Sequence, residues 1–566
     1  MDVFWVILAL LIIFIGKGIY DSRMNFQALI FKLEKNWGNP PEKEYTSEQL
    51  RSIGYYYRSM KEDNDIDDIT WNDLDMDEIY LLMNNTVSAV GEEYLYAVLR
   101  KLKFDNETLE ERSRIAAFFK ENPKVAHKLQ LELSRLGKLQ KISVFQYINL
   151  FYDVRKDSTL LHCGMAIGLV LSICLIPISP AVGGILTFVF VCNNVLRYYK
   201  RKGEIEPYIT VCSYIVRMLN SIDGISKLKI EEIKDYTDRL TDLERKLKNF
   251  KKGSRYLAPN SGSGDLADII LDYVRILFHV DLIKFNGMLA TLDKNKESLN
   301  ETFELLGTLD SMIAVASFRT MIPYYSLPDL IKLESMGSDF VTNKKNMLEI
   351  KDLYHPLIEE PVSNSIGVEQ CALVTGSNAS GKSTFLKSIA INTILSQTIY
   401  TSLSKGYRAN YYYVASSMAL RDDLFSQESY YIVEIKSLKR ILDRVNSKTP
   451  VLCFVDEVLR GTNTLERIAA SSQILHSFAG SNAICFAATH DIELTHILEN
   501  YYGNYHFKEE IVDGDIQFDY KLHEGRATSK NAIQLLGMIG YSDSIINKAN
   551  MFANSFLESG VWDVIS

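Results

Sequence analysis

One short stretch of the sequence has the residue types and spacing needed to hold a chain of phosphates. The stretch reads Gly376-Ser377-Asn378-Ala379-Ser380-Gly381-Lys382-Ser383. In a loop of this pattern backbone N–H groups point at phosphate oxygens, Lys382 reaches the β- and γ-phosphates, and the Ser383 hydroxyl binds Mg²⁺. The alternative, a glycine-rich turn with an incidental lysine, is disfavoured because an apolar run precedes the loop and a helix-patterned run, Thr384 to Leu395, follows it. The stretch therefore predicts a site for a nucleoside triphosphate with Mg²⁺.

Two acidic side chains follow a later apolar run, Val451–Val455. Asp456 and Glu457 occupy positions at which an ATPase places one carboxylate in the metal shell and a second that polarises the attacking water. Acids at strand ends are common, so their weight comes from following a phosphate loop. His490, after the next apolar run, is placed to hydrogen-bond the γ-phosphate or the water, although a single histidine is more often structural. We therefore expect Asp456 to bind the metal, and Glu457, His490 and Lys382 to act in hydrolysis.

The elements that position these residues follow the rhythm of an α/β domain. From about Met347 onward, short apolar runs alternate with helix-patterned stretches, and the runs are Ala372–Thr375, Val451–Val455 and Ile484–Ala488. Continuous apolar runs are typical of strands that are buried on both faces of a parallel sheet. The sequence thus predicts an α/β fold, in which a P-loop ATPase domain is built on a largely parallel sheet.

The rest of the chain is mostly helical in pattern and contains a long uncharged segment. Residues 24–157 and 203–336 have apolar positions three and four apart, whereas 158–196 contains no Asp, Glu, Lys or Arg. With Pro177 and Pro180 in its middle and basic residues on both flanks, this segment predicts a hairpin of two membrane-spanning helices. A buried helical hairpin in a soluble core is the alternative, which the length of the uncharged segment disfavours.

The N terminus carries another apolar run, which extends from Val3 to Ile15 and is followed by Lys17 and Arg23. It has neither the positive start nor the small-residue cleavage site of a signal peptide, so we expect an uncleaved anchor. The 18 residues from Val3 to Tyr20 are just long enough to span a bilayer. The basic flanks of anchor and hairpin predict a multi-pass membrane protein with its ATPase domain in the cytoplasm.

Composition sets outer bounds on these expectations. A chain of 566 residues, 47% hydrophobic and 23% charged, is too long for one core and is ordinary for folded protein. Its net charge of −9 gives no overall attraction for nucleic acid, so any phosphate-backbone binding needs a local basic patch. The seven cysteines form no CxxC pair and no zinc-ligand spacing, which indicates buried thiols in a reducing compartment.

Further motifs occur in a fixed order along the C-terminal half of the chain. They are His355-Pro356, Thr375–Thr384, Asp422-Asp423-Leu424, Ser429–Glu434, Asp456-Glu457, Arg460–Thr464, Ala488-Thr489-His490 and Gly525–Leu536. Their order and spacing resemble the ATPase domain of the MutS mismatch-repair family, a branch of the ABC-type ATPases. The likeness covers about residues 346–550, and the helical stretches Gly91–Leu136 and Glu301–Ile331 resemble the family's core and lever helices.

The resemblance implies a composite site made by two ATPase domains, and therefore a homodimer that uses ATP and Mg²⁺. It implies that Ser429 acts in trans on the nucleotide of the partner subunit and that Asn463 lies in the loop linking the two sites. It also places Asn378 in the phosphate loop and His523 near the adenine. Residues from Gly525 to about Ala553 would form the family's helical dimerisation element.

The sequence also departs from the family, because we expect its mismatch-reading domain to be replaced by the anchor and a short helical stretch. Phe119-Lys120-Glu121 matches a Phe-x-Glu pattern linked to mismatch insertion, but this pattern recurs easily by chance. Arg245–Tyr256 is a basic patch that suits phosphate backbones or anionic lipid, with a solvated helix end as the ordinary alternative. Two hypotheses follow: the helical arms engage DNA near the membrane, or the protein is an ATP-driven switch or scaffold for an unknown protein or lipid partner.

These inferences divide the chain into six parts. We expect an N-terminal transmembrane anchor at 1–23, a first core-like helical region at 24–157, a transmembrane hairpin at 158–197, a second core- or lever-like helical region at 198–345, an ATPase domain with C-terminal dimerisation helices at 346–550, and a tail at 551–566.

Overall fold

The structure, a computed structural model, consists of two compact units. The helical unit comprises residues 1–63, 80–100 and 111–323, and the sheet unit comprises residues 64–79, 101–110 and 324–566. The residues that the structure describes are 17, 20–21, 23–42, 44–139, 143–150, 158–251, 273–332, 346–377, 379–418, 430–445, 447–512, 515–527, 533, 536, 539–562 and 564–565.

Helices account for nearly all of the described helical unit and alternate with strands in the sheet unit. They are α1 Ser47–Ile53, α2 Tyr55–Ser59, α3 Asp68–Asp73, α4 Met76–Met83, α5 Ala89–Arg100, α6 Asn106–Glu121, α7 Pro123–Ser134, α8 Val144–Leu150, α9 Thr159–Leu175, α10 Pro180–Lys227, α11 Lys234–Lys251, α12 Val280–Lys294, α13 Lys296–Met321, α14 Lys382–Thr398, α15 Tyr430–Arg444, α16 Thr464–Ala479, α17 Ile492–Ile497 and α18 Asp543–Ser559.

The core of the helical unit forms where α13 packs against α5. From Leu305 to Arg319 every α13 residue except Thr308 is buried, which is typical of a helix in the middle of a helical domain. Asp310 accepts hydrogen bonds from the Ser88 N–H at 2.9 Å and from the Ser88 hydroxyl at 2.5 Å. A buried carboxylate at the first turn of α5 satisfies N–H groups that have no partner inside that helix.

Helices α9 and α10 form a hairpin within the helical unit, joined by residues 176–179. The two helices approach closely at Gly168, where an added Cβ would lie 2.5 Å from the Phe190 ring, and the Thr187 hydroxyl donates to Ser172 Oγ at 3.1 Å. Most of the outer surface remains apolar and exposed. Only 17% of the apolar window in Pro180–Ile205 is buried.

One described helix, at Pro180–Ile205, is long and apolar enough to cross a membrane, with 26 residues and a mean hydropathy of 1.4. Helix α9 is also apolar, but its 17 residues make it shorter than a full span. The expected helical hairpin is therefore present, with one span-length helix, while its insertion into a membrane remains a prediction. The apolar run of the N-terminal anchor, Val3 to Ile15, lies outside the described residues.

Ten strands in the described part of the sheet unit form two sheets. The strands are β1 Asp329–Ile331, β2 Leu348–Leu353, β3 Asn364–Val368, β4 Cys371–Thr375, β5 Gly406–Asn410, β6 Tyr413–Ser417, β7 Val451–Asp456, β8 Ala483–Ala488, β9 Tyr502–Val512 and β10 Asp515–Glu524. The larger sheet has the order β10-β9-β4-β8-β7-β6 and is parallel except for β10, whereas the smaller has the order β1-β5-β2-β3. The expected α/β fold with a largely parallel sheet is confirmed.

The three apolar runs that predicted strands become β4, β7 and β8, and every residue of these strands is buried. The strands are adjacent and parallel, with Val374 paired to Ala488 and Asp456 also paired to Ala488. Because the carboxyl ends of parallel strands lie at one edge of a sheet, the segments after all three strands meet there.

Part of the sheet unit comes from a segment far away in the sequence. Asp73 of α3 accepts hydrogen bonds from the Ser416 hydroxyl at 2.7 Å and from the Met418 N–H at 2.9 Å, and Asp67 pairs with Arg440 of α15. These bonds explain why residues 64–79 fold with the sheet, although the sequence pattern groups all of 24–157 with the helical region.

Candidate nucleotide site

The phosphate loop joins the buried strand β4 to the start of α14. Its backbone has left-handed φ angles at Gly376, +146°, and at Gly381, +103°. At Gly376 an added Cβ would lie 2.9 Å from Ser380 Oγ and 3.2 Å from the Phe507 carbonyl oxygen, so glycine is needed on steric grounds as well. Asn378, expected in this loop, lies outside the described residues.

Lys382 folds back over the loop that precedes it. Its Nζ donates to the carbonyl oxygens of Gly376 and Ser377, each at 2.8 Å, and lies 3.4 Å from His490 Nε2. Burial lowers the pKa of Lys382, and the nearby carboxylates of Asp456 and Glu457 oppose that shift. The loop thus holds an ammonium group where phosphate charge would need one.

Asp456, at the end of β7, is buried and bonded on one side only. Its Oδ2 accepts from the Ser383 hydroxyl at 2.5 Å, while its Oδ1 has no hydrogen-bond partner among the described residues. Burial and the neighbouring Glu457 raise the pKa of Asp456, and Ser383 and Lys382 counteract this rise. An unpartnered buried carboxylate oxygen beside a serine hydroxyl fits a hard cation, which favours oxygen ligands.

No cluster of three or more His, Cys, Asp or Glu side chains that could hold a metal occurs in the described part of the chain. Mg²⁺ is commonly held by one or two protein oxygens together with phosphate oxygens of its substrate. Ser383 and Asp456 fit that mode of binding. When bound, Mg²⁺ would neutralise charge on the phosphates.

Glu457 and His490 lie side by side, as expected from their positions after β7 and β8. Glu457 Oε1 is 3.1 Å from His490 Nε2, and the other carboxylate oxygen pairs with Arg460. Burial and then the positive charge of Lys382 lower the pKa of His490, while Glu457 opposes the shift. A lowered pKa keeps the imidazole neutral at pH 7, so that it can accept or donate a single hydrogen bond.

A cavity of about 500 Å³ opens next to the loop, and its volume is in the usual range for small-molecule sites. It is lined by Ser377, Ala379–Phe385, Ser388, Glu457 and Arg460, and on another side by Leu353, Tyr354, His355, Ile358, Glu360, Pro361, Val362, Asn364, Phe507 and Tyr520. The buried hydroxyl oxygens of Ser377 and Ser380 have no hydrogen-bond partner among the described residues. The cavity therefore presents unpartnered polar atoms at the described part of the loop, and mostly apolar or aromatic side chains on its other side.

Sequence reasoning assigned no role to several of these lining residues. His355 and Arg460 lie in motifs that carried the family resemblance, and that position was the available signal. Burial, followed by the charge of Lys387, lowers the pKa of His355 to about 4. Tyr520 had no such signal, because it reaches the cavity from β10, the strand paired with β9.

The remaining expected site residues either do not line the cavity or lie outside the described residues. His523 Nε2 is 2.8 Å from Asp519 Oδ2, and His523 is not among the residues that line the cavity, whereas its neighbour Tyr520 is. Asn463 caps α16, because its side-chain oxygen accepts from the Glu466 N–H at 3.0 Å. Ser429 lies outside the described residues, so its expected action in trans stays a prediction.

Comparison with known proteins agrees with this geometry. Residues 372–557 match the family model for MutS domain V. This stretch contains the phosphate loop, Asp456, Glu457 and His490. This part of the chain is therefore similar to domain V of MutS proteins.

Relatives within the MutS family match more of the chain than domain V. The chain is 24% identical over 344 residues to DNA mismatch repair protein MutS from Natronomonas pharaonis, covering 58% of this chain and 38% of the relative. It is 26% identical over 313 residues to DNA mismatch repair protein MutS from Clostridium botulinum, covering 52% and 32%, and 29% identical over 281 residues to MutS protein homolog 4 from Mus musculus, covering 44% and 28%. The chain therefore spans about a third of the length of the MutS relatives it matches.

Proposed function

We propose that this chain is a membrane-anchored MutS-type ATPase that binds and hydrolyses ATP with Mg²⁺. One observation carries the proposal. Three buried side-chain oxygens that have no hydrogen-bond partner in the described part of the chain, Asp456 Oδ1, Ser377 Oγ and Ser380 Oγ, belong to the loop and strand end around the Lys382 ammonium. Buried polar atoms are normally satisfied, so this cluster is best explained by a ligand that carries both phosphate oxygens and a cation.

Each residue of the site then has a stated role. Lys382 binds the β- and γ-phosphates, loop N–H groups bind phosphate oxygens, and Ser383 and Asp456 hold Mg²⁺. Glu457 takes the proton of the water that attacks the γ-phosphorus, the bond from that phosphorus to the leaving oxygen breaks, and ADP and phosphate are released. His490, kept neutral and bonded to Glu457, orients the water or the γ-phosphate.

A homodimer completes the site in this proposal, as the family resemblance implies. Ser429 and Asn463 would face the nucleotide of the partner subunit. Helix α18 supports a contact between subunits, because it exposes large apolar side chains at Ile545 and Met551, with Trp562 also exposed beyond it.

The membrane part of the proposal is supported by the α9–α10 hairpin. Its exposed apolar side chains include Leu160, Ile167, Leu171, Ile178, Ile185, Phe188 and Leu196. A surface of this kind is costly in water, and lipid would cover it. The ATPase domain would lie in the cytoplasm, because basic residues flank the hairpin on both sides.

The family resemblance favours DNA as the ligand of the helical arms, and the exposed hairpin favours the alternative, a membrane-associated switch for a protein or lipid partner. A gel-shift with duplex DNA and detergent-solubilised protein separates them. A shift that weakens steeply as salt rises supports DNA binding, and the lack of any shift at low salt supports the switch.

Two substitutions test the ATPase itself. We expect Lys382→Ala to lower Mg-ATP affinity by about 100-fold or more, because a buried charge-assisted contact to phosphate is lost. We expect Glu457→Gln to bind Mg-ATP normally and to lower kcat by about 100-fold or more, because the proton acceptor is removed. Glu369→Gln, an exposed change in the same unit, is the control for both measurements. If Glu457→Gln hydrolyses ATP with the parental kcat, Glu457 is not the base.

A further inference from the structure

The turn that carries Glu457 has a strained backbone. Glu457 has φ +53° and Leu459 has φ +60°, and neither residue is glycine. A non-glycine residue in the left-handed region costs about 1 kcal/mol or more, and such residues persist only where surrounding contacts hold them. Some group must therefore hold the turn that follows β7.

Glu434 of α15 supplies the most direct contact to this turn. Its side chain is 3% exposed, and its Oε1 accepts a hydrogen bond from the Leu459 N–H. Burial raises the pKa of Glu434, and the N–H groups of Leu459 and Arg460 lower it. A hydrogen bond from an N–H group to a carboxylate is among the strong ones in proteins, so this buried side chain fixes the turn at Leu459.

A second contact from the same helix packs against the end of the turn. An added Cβ at Gly461 would lie 3.2 Å from Cβ of Tyr431, so α15 approaches the turn too closely for a larger residue to fit easily. Glu434 and Tyr431 are three residues apart and therefore lie on one face of α15. Together these two side chains pack α15 against the turn.

Arg460 connects this packed turn to the carboxylate of Glu457. It directly follows Leu459, whose N–H bonds to Glu434, and its guanidinium pairs with Glu457. Moving the Arg460 backbone would move its guanidinium, and with it the Glu457 carboxylate that this guanidinium holds.

We propose that Glu434 is a positioning residue for hydrolysis: through the Leu459 N–H it fixes the turn that carries Arg460 and aims Glu457 at the attacking water. The inference rests on the proposed ATPase function.

The test compares Glu434→Ala, Glu434→Gln and Asp443→Asn in steady-state hydrolysis of Mg-ATP by the full detergent-solubilised chain. Asp443 is an exposed acid on the same helix and serves as the matched control. We expect Glu434→Ala to lower kcat about 10- to 100-fold with KM within about twofold, because small misplacement of a catalytic group slows chemistry without removing substrate contacts. Glu434→Gln should recover most of kcat, because the glutamine oxygen can accept the same Leu459 N–H.

The outcomes separate this inference from the proposed function. If the parental chain does not hydrolyse ATP, the proposed function fails. If the parental chain hydrolyses ATP and Glu434→Ala keeps the parental kcat, the positioning role is wrong. A rise in KM equal to the loss in kcat/KM, with kcat unchanged, also overturns it. Should Glu434→Ala fail to fold, a kcat for Glu434→Gln as low as that of Glu457→Gln would contradict the role, because glutamine retains the accepting oxygen.

Discussion

The phosphate loop and the α9–α10 hairpin each leave groups in an unfavourable environment, but the groups are polar in the loop and apolar in the hairpin. Beside the loop, the buried oxygen atoms Asp456 Oδ1, Ser377 Oγ and Ser380 Oγ have no partner among the described residues. On the hairpin, Phe188 and Ile185 are 70% and 67% exposed. Unpartnered polar atoms are costly until a polar ligand binds, whereas exposed apolar area is costly until an apolar phase covers it. The contrast is consistent with the proposal of a charged ligand for one region and lipid for the other.

The two regions also differ in how the chain builds them. The hairpin consists of two consecutive helices joined by four residues, 176–179. The phosphate site combines the segments after β4, β7 and β8, and the sheet it stands on is bonded to α3, more than 300 residues earlier in the chain. A local sequence pattern is therefore enough for the hairpin, whereas the phosphate site depends on contacts between distant segments.

The largest effect is expected from placing charge on the hairpin. Ile167→Lys with Phe188→Lys would put one lysine near the middle of each apolar helix, at positions that are 58% and 70% exposed. In a bilayer each lysine costs about 2.5–3.5 kcal/mol, so the pair should cost more than about 5 kcal/mol of membrane insertion. Carbonate extraction of membranes should find the parental chain in the pellet and the double variant largely released or degraded.

The control for this experiment is Ile497→Lys, because Ile497 is 52% exposed and lies outside the hairpin, on α17. It should stay in the membrane fraction like the parental chain. If the double variant stays in the membrane fraction as well as this control does, lipid does not cover the hairpin. The same conclusion follows if the parental chain is soluble without detergent.

A smaller effect is expected where the sheet depends on a distant segment. Asp73→Ala removes the acceptor of the Ser416 hydroxyl and of the Met418 N–H, both near the end of β6. Leaving buried donors unpaired should cost about 2–4 kcal/mol locally. The exchange of the Met418 amide hydrogen should then accelerate about 30- to 1000-fold in hydrogen-exchange measurements on the full chain.

Asn72→Ala is the matched control, because Asn72 is the exposed neighbour of Asp73 on α3. It should leave exchange at Met418 within a few-fold of the parental rate. Equal exchange in the Asp73→Ala and Asn72→Ala variants would mean that β6 holds its end without α3, and the phosphate site would then be built as locally as the hairpin.

The same contrast explains what could be predicted from the sequence. The loop, Asp456, Glu457 and His490 each follow an apolar run, and the geometry of a parallel sheet brings the ends of such runs together. The bonds from Asp73, the contact of Glu434 with its turn and the approach of Tyr520 to the cavity join residues from separate segments. No spacing along the chain encodes those pairings, so the structure was needed to find them.

The smallest effect is expected at Asp456, where the stability cost of a buried charge can be measured separately from its contribution to binding Mg-ATP. Asp456→Asn removes a buried charge while keeping an oxygen beside Ser383, so the ligand-free chain should become more stable by about 1 kcal/mol in thermal unfolding. Because burial raises the pKa of Asp456, the stability gap should be largest above that raised pKa and should close as pH falls below the ordinary range of an aspartate. Added Mg-ATP should stabilise the parental chain and have much less effect on the variant, which lacks the carboxylate that would hold the metal. If the variant is less stable than the parental chain without ligand at every pH, the protein alone satisfies the Asp456 charge. The phosphate site would then not need a ligand to complete it.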